Sequence, residues 1–427
     1  MSDTKPVKMK KYIVGLLFFF LITVQGFASY ILLPMDGSQK NHLKAYGISY
    51  WVLEQDVEVQ WLLNYRGGSF MFRYASPLEK ELVIRGVSYQ VISDANAANI
   101  LDEIAHPEAN MDAMKLEKVP KIAVYSPKSK QPWDDAVTLV LTYAEIPYDI
   151  VFDEEVLDGK LPTYDWLHLH HEDFTGQYGK FYAHYRHTAW YQEQQAEYEA
   201  IAKKYGYSKV SQMKLGVVKK IQDFCAGGGF LFAMGSATDT YDIALAAEGL
   251  DIVEYMYDGD PADPQAQQKL DFSKTFAFKD FKLVRNPLEY EYSNIDNTDG
   301  RGLREHNDFF QLFTFSAKWD PIPTMLTQNH EKTIKGFMGQ TTAFRKPLVK
   351  PEVIIMGETK QVDEVRYIHG TFAKGTWTFY GGHDPEDYMH QVGEEPTDLN
   401  LHPNSPGYRL ILNNILFPAA KKKKQKT

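Results

Sequence analysis

The chain has 427 residues, a formal net charge of −10, and a single cysteine alongside 27 Tyr and 25 Phe. An acidic balance without a basic stripe among the aromatics excludes a nucleic-acid partner. One cysteine excludes an internal disulfide, so packing alone must hold the fold. Roughly 400 residues beyond a leader exceed what one core usually holds, which predicts two or three lobes.

The N-terminus reads as an address. Lys5, Lys8, Lys10 and Lys11 precede the apolar run Tyr12 to Val24, and Gly26-Phe27-Ala28 follows as a small-residue cleavage site. This is the pattern of a secretory signal peptide over residues 1–28, with export to the periplasm or cell envelope as its consequence. The run is shorter than the ~20 residues a transmembrane helix needs. An uncleaved anchor and a start at Met9 are the alternatives, and no later segment is apolar enough to span a membrane.

Residues 29–118 predict a small α/β lobe and its linker. "YILLPMD" is a strand, "NHLKAYGISYWVLEQ" a helix and "VEVQWLLNY" a strand. "SPLEKELVIRG" is a helix with a Ser-Pro start, "SYQVISD" a strand and "ANAANILDEIA" a helix. "HPEANMDAMKLEKVP" reads as the linker.

Residues 119–418 carry a second α/β pattern. "KIAVYSP" is a strand and "QPWDDAVTLVLTYAEI" a helix with acidic residues in its first turn. The helix start "SPKSKQPWDD", with Ser126 and Ser129, could bind an anion but lacks the glycines of a phosphate loop. "YDIVFDEEVL" is a strand and loop, and "YDWLHLHH" the next strand. The helix "LGVVKKIQDFC" places Cys225 on its apolar stripe, as a buried core residue rather than a thiol nucleophile. A strand–turn–helix elbow follows, "FLFAMGSATDT", with Gly235 at the turn. "RYIHGTFAKGTWTFYGG" is a hairpin and "SPGYRLILNNILFPA" a docking helix with Pro in its first turn. Residues 251–350, rich in Asp, Asn and Pro, predict a long irregular insertion over one sheet edge. Residues 419–427 are a basic solvated tail.

In open α/β sheets ligands bind beyond the carboxyl ends of the strands. Three polar stretches fall there: "HLHHED", "GSATDT" and "GGHDPED". His168 and His170 alternate onto one strand face while His171 points the other way. With Glu172 and Asp173 they predict either a polar ligand-binding rim or a zinc site completed by His184 or His383. No cofactor other than this possible zinc is called for. His383, after a Gly-Gly break, is a candidate general base; Asp384 and Thr238 are candidate ligand contacts. The competing reading of "HDPED" is a turn capped by its Asp.

The elbow and the His-bearing strand end together resemble the class I glutamine amidotransferase-like superfamily. The resemblance implies a mostly parallel, flavodoxin-like sheet with helices on both faces. It also implies a nucleophile slot at Gly235, a base at His383 and an orienting acid at Glu386, although these two stand one residue further apart than in the family. Glycine supplies no nucleophile, so the family's thiol chemistry cannot pass through position 235. Ser236 is the displaced candidate, with helix capping as its competing task.

Over almost its whole length the chain is also similar to exported Bacteroidetes proteins labelled asparagine synthetase B. "NHLKAYGISYWVLE", "WLLNYRGGSF", "YDWLHLHHEDFTGQYGKFY", "SAKWDPIPTML" and "YGGHDPEDY" carry that similarity. Neither an N-terminal nucleophilic Cys nor an ATP-pyrophosphatase loop is present. These readings imply an altered amidase-like envelope protein. The alternatives are a ligand-binding module for a peptide, glycan or small molecule, and a metal-dependent hydrolase built on His168, His170 and His383.

Overall fold

The computed structural model describes residues 28–127, 135–298, 301–389 and 391–420. The signal-peptide reading, Ser129 and all but the first two residues of the tail lie outside these ranges. Among the described residues no helix is long and apolar enough to cross a membrane.

The N-terminal lobe runs β1 (Ala28–Leu33), α1 (His42–Glu54), β2 (Val59–Leu63), β3 (Ser69–Arg73), α2 (Ser76–Ile84), β4 (Gln90–Ser93), α3 (Asp94–Ala105) and β5 (Asp112–Leu116). Its five strands form an antiparallel sheet in the order β4-β1-β3-β2-β5. Alternation sorts the side chains: Leu32, Leu62 and Met71 pack with Ala97 and Ile104 of α3, whereas Ile31, Leu33, Trp61, Phe70 and Phe72 enter the larger core with α1. The stretch read as a linker contains β5, which pairs with β2. Met114 and Leu116 are buried there while Lys115 and Asp112 are only partly so, a strand pattern hidden by the flanking charges.

The larger part begins β6 (Ile122–Tyr125), α4 (Ala136–Ala144), β7 (Asp149–Val151), α5 (Asp153–Leu157), β8 (Trp166–Leu169), α6 (Ala189–Lys204), α7 (Val210–Gly227), β9 (Phe230–Met234) and α8 (Ala237–Ala246). It continues β10 (Phe309–Leu312), β11 (Thr333–Lys335), β12 (Phe344–Arg345), β13 (Ile354–Thr359), β14 (Glu364–Phe372), β15 (Gly375–Tyr380) and α9 (Pro406–Leu416). The sheet order is β11-β10-β13-β14-β15-β9-β8-β6-β7, with β12 beside β14.

This sheet is mixed rather than mostly parallel. The pairs β7–β6, β6–β8, β8–β9 and β9–β15 are parallel. From β15 onward every pair is antiparallel, because β14 returns to β15 through a tight turn (Phe372 opposite Gly375) and β13 and β10 add in the same sense. The segment expected to be irregular therefore supplies β10, β11 and β12 to this antiparallel half. In the parallel half the order reverses direction at β6, so the carboxyl ends of β6 and β8 form the switch point at which such sheets bind ligands.

The two lobes share one core. Tyr46 and Trp61 from the N-terminal lobe cluster with Val137, Leu141, Ile411 and Leu412 from the larger part. At the crossing of α1 and α4, a Cβ on Gly47 would lie 1.8 Å from the Ala144 carbonyl oxygen. Only glycine permits that approach. Helix α9, capped by Ser405 through the Tyr408 amide, runs against α1 and carries the fully buried Arg409.

Candidate functional site

Three strand ends meet at one rim. His168 lies on β8 with no solvent exposure, its ring against Trp166 and Phe232 and its Nδ1 3.3 Å from the Phe232 carbonyl oxygen. Beyond Leu169 the backbone leaves strand geometry, and the Glu172 amide donates to the His170 carbonyl at 2.6 Å. Strict alternation ends there, so His171 does not point away as expected. Its ring centroid is 3.4 Å from that of His170.

His383 arrives from β15. Gly382, at φ +97°, and Gly381 let the chain pass against Phe337 and the Thr342 carbonyl, and the His383 amide donates to the Met338 carbonyl at 2.9 Å. Its ring centroid is 5.5 Å from that of His170 and 5.1 Å from that of His171. The potential ligand atoms of His170, His171 and His383 all lie within 4.8 Å of one another. His170 is buried and His171 and His383 are half-buried, yet Nε2 of His170 and both ring nitrogens of His171 and His383 are shut off from solvent.

A second grouping, Asp135, His168 and His170, shares His170 with the first. Asp135 caps α4, its Oδ1 accepting from the amides of Val137 (2.7 Å) and Thr138 (3.0 Å). Its Oδ2 lies 3.0 Å from His170 Nδ1 and 3.5 Å from His168 Nε2. Burial alone would raise this carboxyl, but His170 and His168 beside it hold it well below the usual carboxylate range. Nothing in the sequence marks Asp135 beyond its place at a helix start after the first strand of the parallel half.

The elbow backs this cluster. Gly235 is left-handed, at φ +58°, and a Cβ built on it would sit 3.1 Å from the Cβ of His171 and 3.4 Å from the Gln340 carbonyl oxygen. Ser236 is fully buried; its hydroxyl donates to the His171 carbonyl at 2.8 Å and makes no capping bond to α8. Thr238 donates to the Gly235 carbonyl at 2.6 Å, and Thr240 to that of Glu172 at 3.0 Å. The hydroxyls of the elbow thus hold the turn and the histidine-bearing backbone in place.

A wall of the site that sequence reading passed over is the segment 336–344. Thr341 is a β-branched residue at φ +65°, an uncommon strain for that side chain. It is clamped by two acids: its amide donates to Asp296 Oδ2 (2.9 Å) and its hydroxyl to Asp239 Oδ1 (3.0 Å). Burial raises both carboxyls, Asp239 well above its usual range and Asp296 to about 6.

The remaining predicted residues serve the loops. Asp173 accepts from the amides of Thr175, Gln177 and Gly179. Glu172 accepts from the Tyr198 hydroxyl at 3.2 Å. Asp384 accepts from the Glu386 amide and the Thr397 hydroxyl, and Glu386, expected to orient His383, pairs with His402 at 3.0 Å. His184 is exposed on the turn Tyr182–Tyr185 and belongs to neither histidine grouping. Cys225 is buried with its thiol pushed up to about 12, an inert core residue.

Three imidazoles converging, with their ring nitrogens shut off from solvent, fit a zinc-type cation. Such an ion takes nitrogen ligands at about 2.0–2.1 Å, and a catalytic site keeps a position free. The all-nitrogen donor set disfavours magnesium or calcium, which select oxygen.

No protein-family model and no curated protein matches the chain. Among solved structures, two Salmonella typhimurium proteins described as cytoplasmic proteins align over their full length with 71% and 70% of this chain, at 10% and 13% identity and TM-scores of 0.33 and 0.34. A catalytic mutant of a GH42 β-galactosidase from G. stearothermophilus aligns over 62% of this chain, at 9% identity and a TM-score of 0.25. This chain spans 28% of the length of that galactosidase. At these scores the likenesses identify neither a fold family nor an activity.

Proposed function

We propose that this chain is an exported, amidotransferase-like envelope protein in which a histidine-held metal takes the place of the thiol nucleophile. It acts as a metal-dependent hydrolase on an amide-bearing substrate. The observation that carries the reading is the meeting of His170, His171 and His383, from two separate strand ends, with ligand atoms within 4.8 Å. The parallel half supports the scaffold: its order β7-β6-β8-β9-β15 follows the doubly wound flavodoxin pattern. So does the left-handed residue at the elbow, the conformation in which such folds present a nucleophile. The asparagine synthetase B resemblance is in keeping with an exported protein, but its label implies ATP chemistry for which the chain has no loop. A bound zinc-type cation would supply Lewis acidity and acidify a water in the position three imidazoles leave free, to a pKa of about 7.

Metal analysis of the purified full-length protein, with hydrolysis of glutamine and simple amides as the activity readout, tests the proposal. One equivalent of zinc, lost with the activity in His383→Ala, is the expected result. Metal binding without hydrolysis would leave a ligand-binding module. No stoichiometric metal under zinc loading would overturn the proposal.

A further inference from the structure

We propose that Asp135 is the residue that positions His170 for the metal, by fixing which ring nitrogen faces the cation. This rests on the metal reading above. A neutral imidazole carries one proton, on either nitrogen, and only the bare nitrogen can bind a cation. The Asp135 carboxylate decides the matter for His170. Its Oδ2 lies 3.0 Å from Nδ1, and a negative oxygen at that distance favours the proton on Nδ1 and leaves Nε2 as the ligand atom. A carboxylate behind a ligating imidazole also raises its basicity.

The carboxylate cannot turn away from this task. Its other oxygen is held by the amides of Val137 and Thr138 at the first turn of α4. Rotating to relieve one end would break the other. His168 closes the back of the arrangement, with Nε2 3.5 Å from the same Oδ2 and Nδ1 3.3 Å from the Phe232 carbonyl oxygen. Asp135 is 8% exposed, and at such burial the attraction between a carboxylate and a ring N–H beside it is strong. One acid thus joins the start of α4 to the end of β8, two elements that meet only in the folded sheet.

Two variants separate positioning from capping. Asp135→Ser retains a good N-cap but cannot reach His170. Asp135→Asn is isosteric and retains an acceptor for the cap, yet presents an amide NH₂ to His170 Nδ1. That donor favours the proton on Nε2, the wrong nitrogen for binding. A merely structural role would make Asn the milder change; the positioning role makes it at least as harmful as Ser.

The measurement is zinc affinity of the full-length protein by competition with a chromophoric chelator, together with the visible spectrum of the cobalt-loaded protein. We expect Asp135→Ser to weaken binding by about 10–100-fold, as loss of a supporting carboxylate does. Asp135→Asn should weaken it at least as much, with an altered cobalt spectrum and a retained unfolding transition. Affinity equal to that of the parent protein in both variants would overturn the proposal. So would two bound equivalents in the parent with one lost in each variant, since Asp135 would then itself be a ligand. A parent protein that binds neither metal overturns the metal reading itself, and the positioning role with it.

Discussion

His171 stands where a side chain at position 235 would project: a Cβ on Gly235 would lie 3.1 Å from the His171 Cβ. A side chain in the nucleophile slot would therefore press on His171, which would have to give by a few tenths of an ångström. Glycine at the turn leaves that contact relaxed.

This relationship sets the outcome of refilling the slot. Gly235→Ala forces a side chain into the left-handed region, costing about 1–2 kcal/mol, with a tight contact to His171 in addition. Urea unfolding should show a loss of at least that size. Gly235→Cys should carry the same penalty, and glutamine hydrolysis should stay at background because the new side chain is crowded by His171 at its Cβ. A rate well above background would mean that His171 yields to the thiol.

Ser236 holds the backbone of His171 rather than offering a nucleophile. Its replacement by Ala should cost about 1 kcal/mol from the lost hydrogen bond. Hydrolysis should change by a few-fold at most when assayed at saturating zinc. A fall to background in a folded Ser236→Ala protein would restore the nucleophile role.

Acid stability should depend on a pair of stacked imidazoles at the junction of the lobes. His42 and His330 lie 4.0 Å apart between ring centroids, and Arg409 Nη1 donates to His330 Nδ1 at 3.2 Å. Burial first, then the Arg409 charge, lowers His42 to about 4; burial, then His42 and Arg409, lowers His330 to about 3. The unfolded chain therefore binds more protons below about 6.5, so this stabilisation is complete above that pH and is lost as pH falls toward 4. For the more deeply buried His42 the loss amounts to about 3 kcal/mol. Asp242 and Asp296, both raised to about 6 by burial, act in the opposite sense between about 4 and 6. The test is thus a difference between proteins. His330→Phe keeps a ring on His42 but cannot be protonated, and its stability should fall less steeply than the parent's from pH 6.5 to 4. Equal slopes in denaturant titrations would show that the pair does not set the acid limit.

Much of the architecture was legible because it rests on local rules. The strands β6, β8 and β9 announce themselves as apolar runs, and α9 by its Ser-Pro start. The hairpin of β14 and β15 was also legible. β3 escaped notice because Ser69, Phe70, Met71 and Phe72 are all buried, which erases the alternation that marks a strand. β5 has the composition of a linker, and β10 to β12 lie in a stretch whose Asn, Asp and Pro residues imitate a loop. At the site, His168, His170, His383 and Gly235 could be picked out by their position at strand ends. Glu386 and Asp384 looked the part but serve neighbouring loop groups.

By itself the sequence determined an acidic, disulfide-free α/β chain, an elbow with no nucleophile and a concentration of histidines at strand ends. Those properties depend on residue type and on spacings of a few residues. Tertiary structure alone decided that the sheet would be mixed, since pairing direction depends on which distant strands meet at an edge. It also decided that His171 turns inward, that Asp135 stands behind His170 and that Thr341 is clamped beside the elbow. Each of these contacts joins residues far apart in the chain, and no local pattern encodes a distance between elements brought together only by the shared core.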